Sequence, residues 1–342
     1  MAEPIRFPEE QNLGRRGGAA AWAESWLTRA LLGGLGRLPT FAQRGLVAGA
    51  ARLAFAVDKR HREGARRFLT QALGEEAGRD DERVRAAYRH LFRISIDSAA
   101  FDRHVPRERL LDHYDVEWGP GVREAIESGS GGIMVTPHVG DWEAGAATMP
   151  YIGMTPSYVV ARPPKNRYLS KHLLELRERK GLVVVPRRGG MRQVAAILEG
   201  GGWLAMLLDQ RPLGKHVVAP FFGRPAPCER SAAVLMKRLS VPIVFGACYL
   251  TERPFHYRLI FNRVVEPEEL ADLSLAELVT LVNREQEARI LEHPEQYFWL
   301  HDRYRDAPAE APEEPAGESL EGPPGPAPSP DRTPSPSKAP LG

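Results

Sequence analysis

A histidine and a glutamate five residues apart, His138 and Glu143, are the side chains in this sequence best placed to do chemistry. They stand in the run Ile133-Met134-Val135-Thr136-Pro137-His138-Val139-Gly140-Asp141-Trp142-Glu143. A base and an orienting carboxylate so spaced are the minimum equipment for activating a hydroxyl. On one continuous helix, five residues separate two side chains by about 140°, so the pair would not share a face. The spacing works if an apolar strand delivers His138 to a loop and Glu143 lies in the first turn of the following helix, with Asp141 as its N-cap. Taken alone, the pattern also fits a satisfied histidine and a solvated glutamate at a helix start.

Other polar residues mark similar places. Asp209-Gln210 ends the apolar run Trp203 to Leu208, and Arg162 follows Tyr158-Val159-Val160-Ala161. Arg177 lies on a predicted helix among other charges, which fits a solvent-facing cation as well as a site residue. Phe221-Phe222-Gly223 reads as an apolar turn: a hydrophobic plug, or the lining for an acyl chain. The sequence has no P-loop, no GxGxxG after a strand, no GxSxG elbow and no HExxH. It therefore gives no support to serine-nucleophile or zinc-protease chemistry.

The elements that must position these residues alternate. Short, continuously apolar runs at residues 133–135, 158–161, 182–185, 203–208 and 243–249 are separated by helical patterns at 169–180, 191–199 and 231–239. Buried strands alternating with helices predict an α/β fold, a mixed and largely parallel sheet flanked by helices on both faces. In such sheets functional groups collect beyond the carboxyl ends of the strands, where His138, Arg162, Asp209 and Gln210 all fall.

The chain has 342 residues, enough for a sizeable core, and a net charge of +2, which argues against a nucleic-acid partner held by bulk charge. Its two cysteines form neither a disulfide framework nor a Cys-rich metal site. Residues 1–20 are polar and Gly-rich and are expected to be flexible. In residues 21–67, Trp22, Trp26, Leu27 and Leu31 recur at helical spacing, and a basic stretch follows from Asp58 to Arg67. Rings at headgroup depth with cations nearby describe amphipathic, membrane-associating helices, although two ordinary core helices would read the same way. No stretch reaches the ~18 apolar residues of a spanning helix. Residues 68–305 form the main domain. The tail, 306–342, is Pro-rich with almost no large apolar side chains and is expected to be disordered.

Several motifs, in order, resemble those of the bacterial lipid A late acyltransferases, the lauroyl and myristoyl transferases of lipopolysaccharide biosynthesis. They are His138-Val139-Gly140-Asp141-Trp142-Glu143, Arg162-Pro163-Pro164-Lys165-Asn166, Arg177, Asp209-Gln210, Pro220-Phe221-Phe222-Gly223 and the run Pro294 to Arg303. The resemblance covers about residues 20–305. Asp141 stands where many members have asparagine, and Cys228 stands near a usual threonine.

The resemblance implies a glycerolipid-acyltransferase-like fold and transfer of a fatty acyl chain from an acyl-carrier-protein thioester to a hydroxyl of a lipid A precursor. No cofactor and no metal are implied. His138 would be the general base and Glu143 its orienting partner, with Arg177 and Asp209 also needed for activity. Arg177 would hold a phosphate, and Asp209 would position Arg177 or the acceptor sugar. Arg162, Asn166, Gln210, Trp142, Phe221 and Phe222 would bind substrate. The place of action would be the cytoplasmic face of the bacterial inner membrane, in peripheral or monotopic attachment. Three readings compete: acylation of a phosphatidylinositol-mannoside-like glycolipid from acyl-CoA, a catalytically silent membrane-surface scaffold, and a metallohydrolase built on His138, Glu143 and Asp209.

Overall fold

The computed structural model describes residues 4–186, 189–212, 214–239, 241–305 and 307. The Pro-rich tail expected from residue 306 lies outside the described residues, apart from residue 307.

A seven-stranded sheet forms the centre, in the order β1-β9-β8-β2-β5-β3-β4. The strands are β1 (Tyr114–Trp118), β2 (Gly132–Val135), β3 (Ser157–Ala161), β4 (Leu182–Pro186), β5 (Trp203–Met206), β8 (Ile243–Leu250) and β9 (Tyr257–Val265). Only the β8–β9 pair is antiparallel among the sheet's neighbours; the rest run parallel. The mixed, largely parallel sheet is therefore as expected, and β1 and β9 extend it on one edge. Both carry charged residues among apolar ones, such as Asp115, Glu117, Arg258 and Arg263, so neither shows the continuous apolar run that marked the inner strands. A separate hairpin pairs β6 (His216–Phe221) with β7 (Arg224–Glu229).

Because side chains alternate along a strand, each inner strand feeds two cores. Met134, Ala205 and Val244 face one of them, together with Ala144 and Leu174. Ile133, Val135, Leu204, Met206 and Ile243 face the other, with Ile197, Met236 and Leu278. The helices over the first face include α5 (Asp81–His104), α6 (Val122–Glu127), α7 (Trp142–Thr148) and α8 (Arg167–Arg179). Over the second lie α9 (Val194–Glu199), α10 (Arg230–Arg238), α11 (Pro267–Leu270) and α12 (Leu275–Glu292).

At the N-terminal side come α1 (Ala19–Leu35), α2 (Thr40–Val57), α3 (Lys59–Leu73) and α4 (Glu75–Arg79). Helix α3 buries Ala65, Phe68 and Leu69 in a third core, where the Phe68 ring meets Phe221, Tyr297, Trp299 and Tyr304. Helices α1 and α2 bury little: Ala21, Ser25, Gln43 and Ala51 are their buried residues. Trp22 is 55% exposed, Trp26 60% and Phe41 80%, so the aromatic stripe of the sequence faces outward rather than into a core.

The segment before α1, expected to be flexible, is tied down over its described part. The Asn12 side chain donates to the Val184 carbonyl (3.0 Å), Gly14 N–H donates to Ser170 Oγ (2.8 Å), and Arg16 N–H donates to the Lys165 carbonyl (2.8 Å). Hydrogen bonds to buried backbone overcome its polar, Gly-rich composition, which by itself signals a loose chain.

Candidate active site

Strand β2 pairs in parallel with β5, Val135 opposite Met206. Carrying that register three residues past each strand end sets His138 opposite Asp209. The Asp209 carboxylate accepts from His138 twice: Oδ1 from ring Nδ1 at 2.6 Å, and Oδ2 from the backbone N–H at 2.8 Å. Tyr297 lies near the same carboxylate, whose charge adds to burial in pushing its hydroxyl up. Asp209 is 1% exposed. Burial alone raises its carboxyl, but the charge of His138 and the hydrogen bonds from its ring and backbone outweigh that, and the net shift is downward. With the Nδ1 proton committed to an ionised carboxylate, the ring turns its Nε2 lone pair outward, as a general base requires.

Glu143 does not orient His138, which corrects the expectation from the spacing. It stands in the first turn of α7, where its carboxylate takes a two-point grip from Arg177 on α8: Nε to Oε2 at 3.1 Å and NH2 to Oε1 at 2.5 Å. Burial raises the Glu143 carboxyl and Arg177 more than offsets it, so the group is held below the ordinary carboxylate range. The carboxylate bonded to the His138 ring is that of Asp209.

Asp141 caps α7 as the sequence suggested, its Oδ1 accepting the Ala144 N–H at 2.9 Å. Its other oxygen, Oδ2, is buried without a partner. Burial pushes this carboxyl up to about 7. Gly140, just before it, has φ of +60°, and a Cβ there would lie 1.9 Å from the Cys248 carbonyl oxygen, so the turn admits only glycine.

One cavity of about 1260 Å³ adjoins these residues. Its polar lining includes His138, Glu143, Arg177, Gln210, Arg162 and Lys165. Its apolar lining comes from alternating sheet residues, Met134, Val159 and Ala205, and from Gly145, Ala146 and Met149 on and after α7. Trp142 borders it too, its ring edge-on to that of His138 with centroids 5.0 Å apart. The Gln210 amide nitrogen is 3.3 Å from His138 Nε2.

Three residues expected to bind substrate lie elsewhere. Phe221 is fully buried in the third core and Phe222 packs against Phe221 and Trp299; neither borders this cavity. The alternative reading, a hydrophobic plug, describes both. Asn166 is 3% exposed; its Oδ1 accepts the N–H groups of Tyr168 and Leu169 at the start of α8, and its Nδ2 donates to the Ala21 carbonyl. Its hydrogen-bonding groups are thus committed to capping α8 and docking α1.

The run Pro294 to Arg303 supplies support that residue types alone did not assign. Phe298 N–H donates to the His138 carbonyl at 3.1 Å, and Gly140 N–H donates to the Gln296 carbonyl at 3.0 Å. This brace brings Tyr297 to Asp209 and sets the Phe298 ring 6.3 Å from that of His138. His301 Nε2 accepts the Arg211 N–H at 3.1 Å, and burial pushes this imidazole down to about 4, which keeps it a neutral acceptor. The signal that could have found these residues is their density of aromatic and amide side chains.

The family model described as bacterial lipid A biosynthesis acyltransferase matches residues 19–306. The chain belongs to this family. It is an acyltransferase, and the family implies a lipid acceptor. Over 253 residues, 73% of this chain and 80% of the relative, the acyltransferase is 23% identical to a lipid A biosynthesis palmitoleoyltransferase of Escherichia coli (strain K12). A lipid A biosynthesis acyltransferase of Shigella flexneri matches equally. A phosphatidylinositol mannoside acyltransferase of Mycolicibacterium smegmatis is 30% identical over 156 residues, 44% of this chain and 48% of that one. Among the described residues no three His, Cys, Asp or Glu side chains converge as a metal-binding group, and no helix is long and apolar enough to cross a membrane.

Proposed function

We propose that this acyltransferase moves a fatty acyl chain from an acyl-carrier-protein thioester to a hydroxyl of a lipid A precursor, with His138 as general base and Asp209 as its positioning partner. The observation that carries the reading is the His138 Nδ1–Asp209 hydrogen bond at 2.6 Å, on a ring that borders a cavity lined by both polar and apolar residues. A lipid hydroxyl titrates far above neutrality, so its proton must leave during attack; a placed base contributes about 10²–10⁴ in rate. The apolar lining suits the acyl chain, and Arg162 and Lys165 suit the phosphates of the acceptor or of the donor's phosphopantetheine arm. Arg177 is engaged with Glu143 and acts by fixing α7 against α8.

The outward stripe of Trp22, Trp26, Leu31 and Phe41 on α1 and α2 supports peripheral attachment to the cytoplasmic face of the inner membrane. The match to the phosphatidylinositol mannoside acyltransferase keeps a second acceptor class in view, with acyl-CoA as its donor.

A transfer assay tests both. Labelled acyl-carrier protein or acyl-CoA is offered with either a tetra-acylated lipid A precursor or a phosphatidylinositol mannoside. Transfer to the lipid A precursor from the carrier protein, lost in His138→Ala, is expected. Equal transfer by wild type and His138→Ala would remove the mechanism, and transfer only to the mannoside would move the function to the second class.

A further inference from the structure

The reaction places a negative charge on the thioester oxygen, and several of the backbone donors nearest His138 are already committed. The backbone N–H groups of Thr136, His138, Gly140, Asp141 and Arg211 are each given to Met206 O, Asp209, Gln296 O, Cys248 O and His301 Nε2 respectively. The Arg177 guanidinium is engaged by Glu143.

Gln210 directly follows the residue that holds the base, and its amide lies 3.3 Å from His138 Nε2. The orientation of that amide follows from the ring: Nδ1 carries the proton given to Asp209, so Nε2 is an acceptor and only an N–H can face it. In the free enzyme Gln210 therefore occupies the lone pair that must take the hydroxyl proton. An incoming hydroxyl, at about 2.8 Å from Nε2, has to displace it. The displaced amide is a neutral donor on a flexible side chain, still beside the base at which the hydroxyl is activated.

We propose that Gln210 is a catalytic residue with two successive partners: it caps the His138 lone pair at rest, and it donates to the thioester oxyanion during transfer. The inference rests on the His138–Asp209 reading above. In the step, the acceptor oxygen forms a bond to the thioester carbonyl carbon while its proton passes to Nε2. The carbonyl π pair moves to oxygen, where the Gln210 N–H holds it. On collapse the pair returns, the C–S bond breaks, and the leaving sulfur takes the proton from the imidazolium. An ester and a free thiol result.

The test uses the full chain with an acyl-carrier-protein thioester and the lipid A precursor, comparing Gln210→Leu, Gln210→Glu and His138→Ala. Binding of a non-reactive thioether analogue of the acyl phosphopantetheine is measured alongside. The expected result is a kcat lowered about 10²–10³-fold in Gln210→Leu, the range for one lost oxyanion donor. Thioether affinity and melting temperature should hold, and Gln210→Glu, which sets a negative charge by the oxyanion, should fall at least as far. If His138→Ala is inert while Gln210→Leu keeps a near-normal kcat, the role of Gln210 is overturned and the base assignment stands. If kcat, thioether affinity and stability fall together, Gln210 is structural and the proposal fails. If His138→Ala is fully active, the underlying reading fails and this one with it.

Discussion

Replacing Asp209 with asparagine separates the two candidate orienting partners of the base. The carboxylate serves donors at both oxygens: the His138 ring at Oδ1 and the His138 backbone N–H at Oδ2. Asparagine keeps one oxygen and brings an NH₂. If that oxygen stays on the ring, the NH₂ faces a backbone N–H, two donors opposed in a buried site, at a cost of about 1–3 kcal/mol. If the amide flips, the backbone bond survives and the NH₂ faces Nδ1. The ring then accommodates it by moving its proton to Nε2, whereas the backbone N–H has no such freedom. The flip wins, and Nε2 loses its lone pair. A hydrolase triad with the same exchange loses about 10⁴ in kcat, about 5 kcal/mol of barrier, and a loss of this order is expected here. Glu143→Gln leaves the tautomer alone and should cost less. The assay is kcat and KM for acyl transfer, with circular dichroism and thermal melts to establish that each variant folds. An Asp209→Asn enzyme within tenfold of wild type, or a folded Glu143→Gln that loses more activity, would refute the reasoning.

Three other perturbations follow from the same geometry. Asp141→Asn should change the pH dependence of stability. Its carboxyl lies at about 7 in the fold against 3.8 unperturbed, so the folded state binds the extra proton. The associated stability is full below about pH 4 and is lost as pH rises to about 7, by up to about 4 kcal/mol. The asparagine protein should lack that loss, and denaturant titrations at pH 4.5 and 7.5 with equal slopes for both proteins would contradict it. Arg177→Met should cost about 1–3 kcal/mol at neutral pH by leaving the part-buried Glu143 carboxylate unpaired. The cost should shrink in acid, where that carboxyl, raised by burial once Arg177 is gone, is protonated, and the Glu143→Gln/Arg177→Met double variant should recover part of it in a double-mutant cycle. Gly140→Ala forces a Cβ against the Cys248 carbonyl and a positive φ onto an L-residue. A loss of about 2–4 kcal/mol is expected, with activity falling as the His138 turn shifts, both read by thermal melts and turnover.

Much of the scaffold was legible in the chain because burial writes itself into local pattern. Inner strands such as Ile133–Val135 and Trp203–Met206 are apolar on both faces, and Asp141 announced its helix through capping chemistry. The edge strands β1 and β9 were not legible, since charged residues interrupt their apolar pattern. Phe221 misled for a related reason: its type fits an acyl groove and a core equally, and only its neighbours, Phe68, Phe222 and Tyr304 among them, decide which.

The sequence by itself determined that a histidine stands past a buried strand with carboxylates available, and that helices cover a largely parallel sheet. The tertiary structure decided which carboxylate serves it. His138 and Asp209 lie 71 residues apart and meet because β2 and β5 are neighbours in register, a fact set by long-range pairing and invisible to local spacing. Glu143, five residues away, points with its own helix toward Arg177, 34 residues on. Proximity along the chain suggested a partner; strand order and helix direction, which fix where side chains point, assigned a different one.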